Sequence, residues 1–277
     1  MTLSHTDRGS RNSLRIAALV ATHNRPCLLA NRSLASIAEQ DRQPDCLVIV
    51  DDSDAELHQA NEKIAAGFAV RDTKTVYLRN AGTAGASGAW NTGLHWLKAE
   101  MPDCFVAILD DDDAWDPAYL AVCEREAIER DMDMVAAGLF YRISEEDPGE
   151  KLSIAESLKA DDFLVGNPNI QGSNLFIRLK MLLDAGRFDE LLPSTTDRDL
   201  CIRLADLGYV RYGPVHQYLV HHFAEKSRDR LSTPGSDVKL RGLDIFYRKH
   251  RCRMNEGQRQ EFRKRGSEKF GWTLTGD

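Results

Sequence analysis

Four consecutive carboxylates, Asp110-Asp111-Asp112-Asp113, close the apolar run Phe105-Val106-Ala107-Ile108-Leu109. Carboxylates held this close repel one another unless a cation or hydrogen-bond donors compensate them. An all-oxygen ligand set favours Mg²⁺ or Mn²⁺, which take one or two carboxylates and fill their other positions with water and substrate phosphates. The plainer alternative is a solvated acidic turn ahead of a helix starting near Pro117, with Asp116 at its N-cap. Two further polar tips follow apolar runs in the same way. They are Thr22-His23-Asn24-Arg25 after residues 16–21 and Asp51-Asp52-Ser53-Asp54 after residues 46–50.

The elements that must position these tips can be read from periodicity. Residues 16–21, 46–50, 75–78 and 105–109 are short continuous apolar runs, the pattern of buried parallel strands. Between the first two, Leu28, Leu29, Leu34 and Ile37 recur at helical spacing, so the opening unit is strand, helix, strand. Residues 92–99 read as the end of a helix. In open α/β sheets ligands sit at the carboxyl ends of the strands, where all three polar tips fall. Beyond Trp115 the alternation loosens. The pattern predicts a helix over 117–130, a strand over 134–143 with Gly138 inside it, a turn over 145–150 and a strand over 173–177. Helices follow near 179–185 and 199–207, then two short strands within 210–220 separated at Gly213-Pro214, and one or two basic helices from Lys239 onward. No repeat or low-complexity segment is present.

Composition narrows the class. The chain has 277 residues, 42% hydrophobic and 29% charged, enough to bury a substantial core. A net charge of -7 argues against nucleic-acid binding, which needs clustered excess Lys and Arg. The charge is uneven: residues 223–277 carry 14 Lys plus Arg against 8 Asp plus Glu, so a basic tail follows an acidic body. The six cysteines show no CxxC pair or zinc spacing and read as reduced, mostly buried thiols. No run is long and apolar enough to span a bilayer and the first residues lack a signal-peptide core, so the expected location is the cytoplasm.

The run from Leu109 to Pro117 resembles the DxD region of the family 2 glycosyltransferases, and other pieces agree in order. Val20-Ala21-Thr22-His23-Asn24-Arg25-Pro26 resembles that family's first strand and Asn-Arg-Pro turn. Val48-Ile49-Val50-Asp51-Asp52-Ser53 is similar to its nucleotide-binding second strand. Asn80-Ala81-Gly82 with Gly85 to Gly93 resembles its Gly-rich helix opening. Ala185-Gly186-Arg187-Phe188-Asp189-Glu190 and Thr196-Asp197-Arg198-Asp199-Leu200 resemble its Gly-Phe-Asp-Glu and catalytic Glu-Asp elements. The resemblance covers about residues 15–220. It implies the GT-A fold, an α/β architecture with a Rossmann-like mixed central sheet flanked by helices, and transfer of a sugar from a nucleoside-diphosphate donor with inversion at the anomeric carbon.

Residue by residue, the resemblance implies a base-reading role for Asp52 with Asp51 beside it. An ionised carboxylate only accepts hydrogen bonds, so it suits the ring N–H of uracil, thymine or guanine and not cytosine, favouring UDP, dTDP or GDP donors. Ala21, Thr22, Asn24, Arg25 and Asn91 would frame the donor. Asp110 and Asp111 would lie near the ribose and metal waters, and Asp112 would bind Mn²⁺ or Mg²⁺, with Asp113 outside the set. Asp197 takes the general-base position, although Thr196 stands where the family has Glu. Adjacent strand residues point to opposite faces, so only one of His221 and His222 can join the metal site, and His222 is preferred. Gly172, Ser173 and Asn174 would line the acceptor side. Lys226, Ser227, Arg228 and Arg230 would form a loop closing over the diphosphate. Trp90 replaces the family's usual Arg before Asn91 and offers a stacking surface without charge.

The expected layout is a flexible leader over 1–14, a nucleotide-sugar half over 15–117, an acceptor half of the same domain over 118–222, and a loop with a basic helical tail over 223–277. The acceptor stays open among a small molecule, a glycan and a lipid-linked chain, as does homo-oligomerisation. The alternatives are a sugar-phosphate nucleotidyltransferase, whose basic Gly-rich loop is missing near the first strand, and a non-catalytic nucleotide-sugar-binding module. The tail interleaves Phe246, Met254, Phe262 and Phe270 with basic residues. It fits either a helix packed on the domain or one seated on an anionic membrane or acceptor.

Overall fold

Continuous apolar runs become strands buried on both faces, which is why they do not alternate. The computed structural model of the chain describes residues 13–70, 72–225 and 233–274. Its strands are β1 (Ile16–Thr22), β2 (Cys46–Asp51), β3 (Lys74–Arg79), β4 (Phe105–Asp110), β5 (Ala114–Trp115), β6 (Met134–Arg142), β7 (Glu150–Leu152), β8 (Leu175–Arg178) and β9 (Tyr212–Phe223). They form one mixed sheet in the order β3-β2-β1-β4-β8-β6-β9-β5, with β7 paired to β6. The β3-β2-β1-β4 part is parallel, and β8 runs antiparallel to both β4 and β6.

The helices are α1 (residues 26–38), α2 (Ala55–Gly67), α3 (Ala86–Glu100), α4 (Tyr119–Glu129), α5 (Ala160–Val165), α6 (Leu179–Asp184), α7 (Thr196–Asp206), α8 (Asp237–His250) and α9 (Glu256–Phe270). Within α1 the stretch Leu29–Leu34 widens to π geometry. Alternate residues of β1 divide the interior: Ala17 and Leu19 join one apolar cluster, Ile16, Ala18 and Val20 the other, so helices cover both faces. Among the described residues no helix is long and apolar enough to cross a membrane.

Several sequence expectations change. Helix α2 had no clear signal because it buries little more than Asn61 and Ala65. The segment 210–220 is one strand rather than two. Pro214 lies inside it, and the irregularity falls instead opposite Gly138, where a Cβ would lie 2.8 Å from the Tyr218 ring. The strand expected from Ser173 begins at Leu175, because Gly172–Asn174 form a 3-10 turn. Order starts before Arg15, since Leu14 N–H and the Ser13 hydroxyl donate to Glu124. The rest of the leader and residues 226–230 lie outside the described residues. Four cysteines are buried, while Cys27 and Cys252 are exposed.

The basic tail packs on the domain. Phe246, Tyr247, Met254, Phe262 and Trp272 belong to the cluster containing β1, β2 and β4 side chains. Arg198 of α7 stacks 4.1 Å above the Phe246 ring and donates to the carbonyls of Phe163 and Leu164. The aromatic side of the tail is therefore used internally.

Candidate active site

Strand order reverses beside β1, whose neighbours β2 and β4 lie on opposite sides, and such switch points open a crevice at the carboxyl edge. The register pairs Ala21 with Asp110 and Thr22 with Asp51, bringing the three polar tips together. Thr22 Oγ1 donates to Asp111 at 2.8 Å, and Arg25 reaches both Asp111 and Asp112 at 2.7 Å. Arg32 donates to the Asp112 carbonyl. The acidic run is thus compensated in part by an internal cation. Burial pushes the Asp111 carboxyl up to about 6, against the pull of Arg25. Burial, together with Asp113 and Asp112, raises Asp110 well above the usual carboxylate range.

Asp113 braces the site from inside. Its carboxylate meets His222 Nδ1 at 3.0 Å and accepts from the Ser173 hydroxyl at 2.6 Å and the Phe223 N–H at 3.0 Å. Burial alone would raise its pKa, yet His222 and these donors hold it below the ordinary value. Strand alternation separates the two histidines. The His221 ring stacks on Phe140 at 5.1 Å, while His222 turns to the acidic run.

At the β2 tip the two aspartates differ. Asp52 accepts from Asn80 Nδ2 at 2.6 Å and Gly85 N–H at 2.7 Å, and it keeps lone-pair capacity and some solvent access. Asp51 is fully buried and takes bonds from the Ser53 N–H, Asn61, the Tyr77 hydroxyl and Arg79. Asp51, expected beside the donor, thus has both carboxylate oxygens facing protein donors. Asn24 adopts φ 55° and exchanges hydrogen bonds with Asp54, closing the first tip onto the second. The loop before α3 needs its glycines: Gly85 has φ 118°, and a Cβ on Gly88 would fall 1.9 Å from the Thr83 carbonyl oxygen.

Other expected contacts also lie behind the surface. Asn91 is buried, with its amide bonded to the Phe188 backbone and to Glu190. Trp90 packs 4.6 Å from Phe188 in the core, so its indole is no open stacking platform. Ser173 is occupied by Asp113, and Asn174 bonds the Ala137 and Asn169 carbonyls. Of the three acceptor-side residues, Gly172 alone directs its backbone N–H to Asp197.

Asp197 stands in the first turn of α7, whose N-cap is Thr195 at φ 65°. Burial lifts its carboxyl to about 6, with Lys239, the Gly172 N–H and His222 opposing. Its charge in turn reaches Asp110. Nearby Asp199 differs in kind. It is buried against Arg203, Lys249 and His250, which outweigh burial and hold it far below the usual range. A carboxylate gripped that tightly is a poor proton acceptor. Lys239 was missed by sequence reasoning, because only packing of the tail brings it to this point.

The donor chemistry of the site accommodates a divalent cation held chiefly by substrate oxygens. Asp112 precedes Asp113, and Asp113 fixes the His222 ring, the usual support for a ligating imidazole. Among the described residues no cluster of three or more side chains forms a protein-only metal cage. Asp112 and His222 are the residues of this cluster that could hold a cation.

A model of the glycosyl transferase family 2 matches residues 18–184. No curated protein matches the sequence. Among solved structures, the chain is similar to S. aureus TarS 1-349 in complex with UDP-GlcNAc, with TM-score 0.64 and 17% identity over 94% of this chain and 74% of that one. It is similar to a longer S. aureus TarS with TM-score 0.61 and 18% identity, spanning 92% of this chain but only 44% of that one. It also resembles the mannosyltransferase PcManGT from Pyrobaculum calidifontis in complex with GDP-Man and Mn²⁺, with TM-score 0.61 and 18% identity over 88% and 66%. At these identities the likeness establishes a shared GT-A fold.

Proposed function

The chain belongs to glycosyl transferase family 2, and from that premise we propose that it transfers a sugar, with inversion, from a nucleoside-diphosphate donor to an acceptor hydroxyl. The observation that carries this reading is Asp197. It is a carboxylate raised to about 6, bonded by the Gly172 N–H and close enough to Asp110 and His222 to share their field.

Asp52 accepts the ring N–H of uracil, thymine or guanine, framed by Ala21, Thr22 and Asn24. Asp110 and Asp111 face the ribose, while Asp51 and Asn91 stiffen the walls from behind. Asp112 and His222 would hold Mn²⁺ or Mg²⁺, which would supply Lewis-acid neutralisation of charge on the departing diphosphate. Asp197 takes the acceptor hydroxyl proton as that oxygen attacks the anomeric carbon opposite the leaving group, and the diphosphate departs as the new bond forms. The relatives solved with UDP-GlcNAc and GDP-Man support a nucleoside-diphosphate sugar as the donor class.

A nucleotide panel tests the reading. Binding to the folded state stabilises by about 2.7 kcal/mol at a hundredfold excess over Kd. One of UDP, dTDP or GDP is expected to raise the melting temperature, more so with Mn²⁺, and CDP to do so least. A melting temperature unmoved by every nucleotide with or without metal would overturn the proposal.

A further inference from the structure

Lys239 is a cation in an unusual position. It lies on the first turn of α8 with 9% of its surface exposed, its ammonium 4.6 Å from the centre of the Phe270 ring. Among the described residues no carboxylate lies within ion-pair distance of its ammonium, and Asp197 is the carboxylate whose more distant field favours its charge. A buried charge with no counterion in direct contact is costly, and an anionic ligand would offset that cost. Its neighbours add to the imbalance. Arg198 and Arg265 are the other cations whose fields it feels, and both disfavour its charge. Arg265 lies against Gly166, where a Cβ would be 3.4 Å from its guanidinium carbon. Like Lys239 it forms no ion pair with a described residue.

The position is fixed by packing. A Cβ on Gly242 would clash at 2.0 Å with Ser194 Oγ, and Ser194 Oγ reaches the Val238 carbonyl. Helix α8 therefore rides directly on the segment leading into Asp197. Further along, Lys249 and His250 pin the same helix to Asp199. Asp197 stands between two charge environments. Asp110 of the acidic run and His222 share its field, and so does Lys239, which itself feels Arg198 and Arg265.

We propose that Lys239, reinforced by Arg265, forms an anion subsite beside Asp197 that receives a phosphate group carried by the acceptor. The inference rests on the proposed role of Asp197 at the acceptor side. It narrows the acceptor to an alcohol bearing a phosphate near its reacting hydroxyl. Two cations, one of them nine-tenths buried, suit a phosphate, whose charge at neutral pH exceeds that of a carboxylate.

The test uses the full chain and inorganic phosphate as probe, titrated with and without saturating UDP and Mg²⁺ and followed by thermal denaturation and calorimetry. Phosphate is expected to bind the wild type equally well in both conditions, so that it does not compete with UDP. Lys239→Met keeps the apolar stem and is expected to weaken phosphate at least 10-fold, while UDP–Mg²⁺ affinity changes less than twofold. Its melting temperature without phosphate should equal or exceed that of the wild type, since an unpaired buried cation is removed. Lys239→Arg should retain phosphate binding. Wild-type phosphate affinity in Lys239→Met, or displacement of phosphate by UDP, would overturn the subsite while leaving the donor reading intact. Failure of UDP to bind at all would remove the reading on which the subsite rests.

Discussion

Arg25 lies 2.7 Å from Asp112 and is a protein-borne counterion of that carboxylate, reaching it from the loop after β1. The same guanidinium also pairs with Asp111, so one side chain neutralises part of a run that a divalent cation would otherwise have to compensate alone. If Asp112 holds the cation as proposed, binding of metal and donor would compete with this Arg25 contact.

Replacing Arg25 by Ala should uncover this exchange. Without metal the variant loses about 1–3 kcal/mol, the range for a charged hydrogen bond left unmade. With Mn²⁺ the loss should shrink, because the freed carboxylates gain a stronger attraction for the cation. Melting curves with and without Mn²⁺ check this, and an equal loss in both would show that Arg25 acts only as a structural brace.

Asp197→Asn should keep donor affinity and lower turnover roughly 10²-fold or more, as loss of a general base does. Because the Asp197 carboxyl is raised to about 6, wild-type kcat should fall as pH drops through that value and hold above it. Initial rates across pH 5 to 8, at saturating donor, decide the point. A rate independent of pH there, or a near-wild-type Asn variant, would move the base elsewhere, and Asp199 is a poor candidate because Arg203, Lys249 and a bond to His250 hold it ionised.

The same carboxyl makes a separate stability prediction. A folded-state pKa raised from 3.8 to about 6 means that the folded chain binds the proton more tightly than the unfolded one. Its contribution favours folding below about pH 4 and is lost as pH rises toward 6. Asn carries no charge to desolvate, so Asp197→Asn should be more stable than the wild type at pH 7, by on the order of 1 kcal/mol, with the gain vanishing near pH 4. Denaturant midpoints at the two pH values measure it, and a variant equally or less stable at pH 7 contradicts the assigned shift.

Truncation after Tyr247 should abolish cooperative folding. It removes Met254, Phe262 and Trp272 from the cluster that also holds Leu19, Val48 and Ile108. Large-to-small changes at buried aromatic positions cost about 3–5 kcal/mol each, comparable with the whole stability of many domains. The intact chain should accordingly show little binding to anionic liposomes at 0.1 M salt, since the aromatic side of the tail is occupied. A soluble truncated chain with a sharp thermal transition would refute the structural role.

The sequence by itself determined the parallel half of the sheet and the tips that end it. Residues 16–21, 46–50 and 105–109 are apolar without interruption because both faces are covered, and that local property survives any rearrangement elsewhere. The same holds for separating His221 from His222, which needs only the two-residue period of a strand. Tertiary structure decided which polar groups face the cleft. Asp51 and Asp52 are adjacent and chemically identical, yet Asp51 is enclosed by Asn61, Tyr77 and Arg79 from elsewhere in the chain while Asp52 meets solvent. Asn91 and Ser173 were drawn inward by Glu190 and Asp113, partners 99 and 60 residues away in sequence. The proximity of Lys239 to Asp197 depends on a helix after the parallel sheet folding back on Ser194, a contact that no local pattern encodes. Strand periodicity is a short-range consequence of backbone geometry, whereas the state of a buried charge depends on everything packed around it.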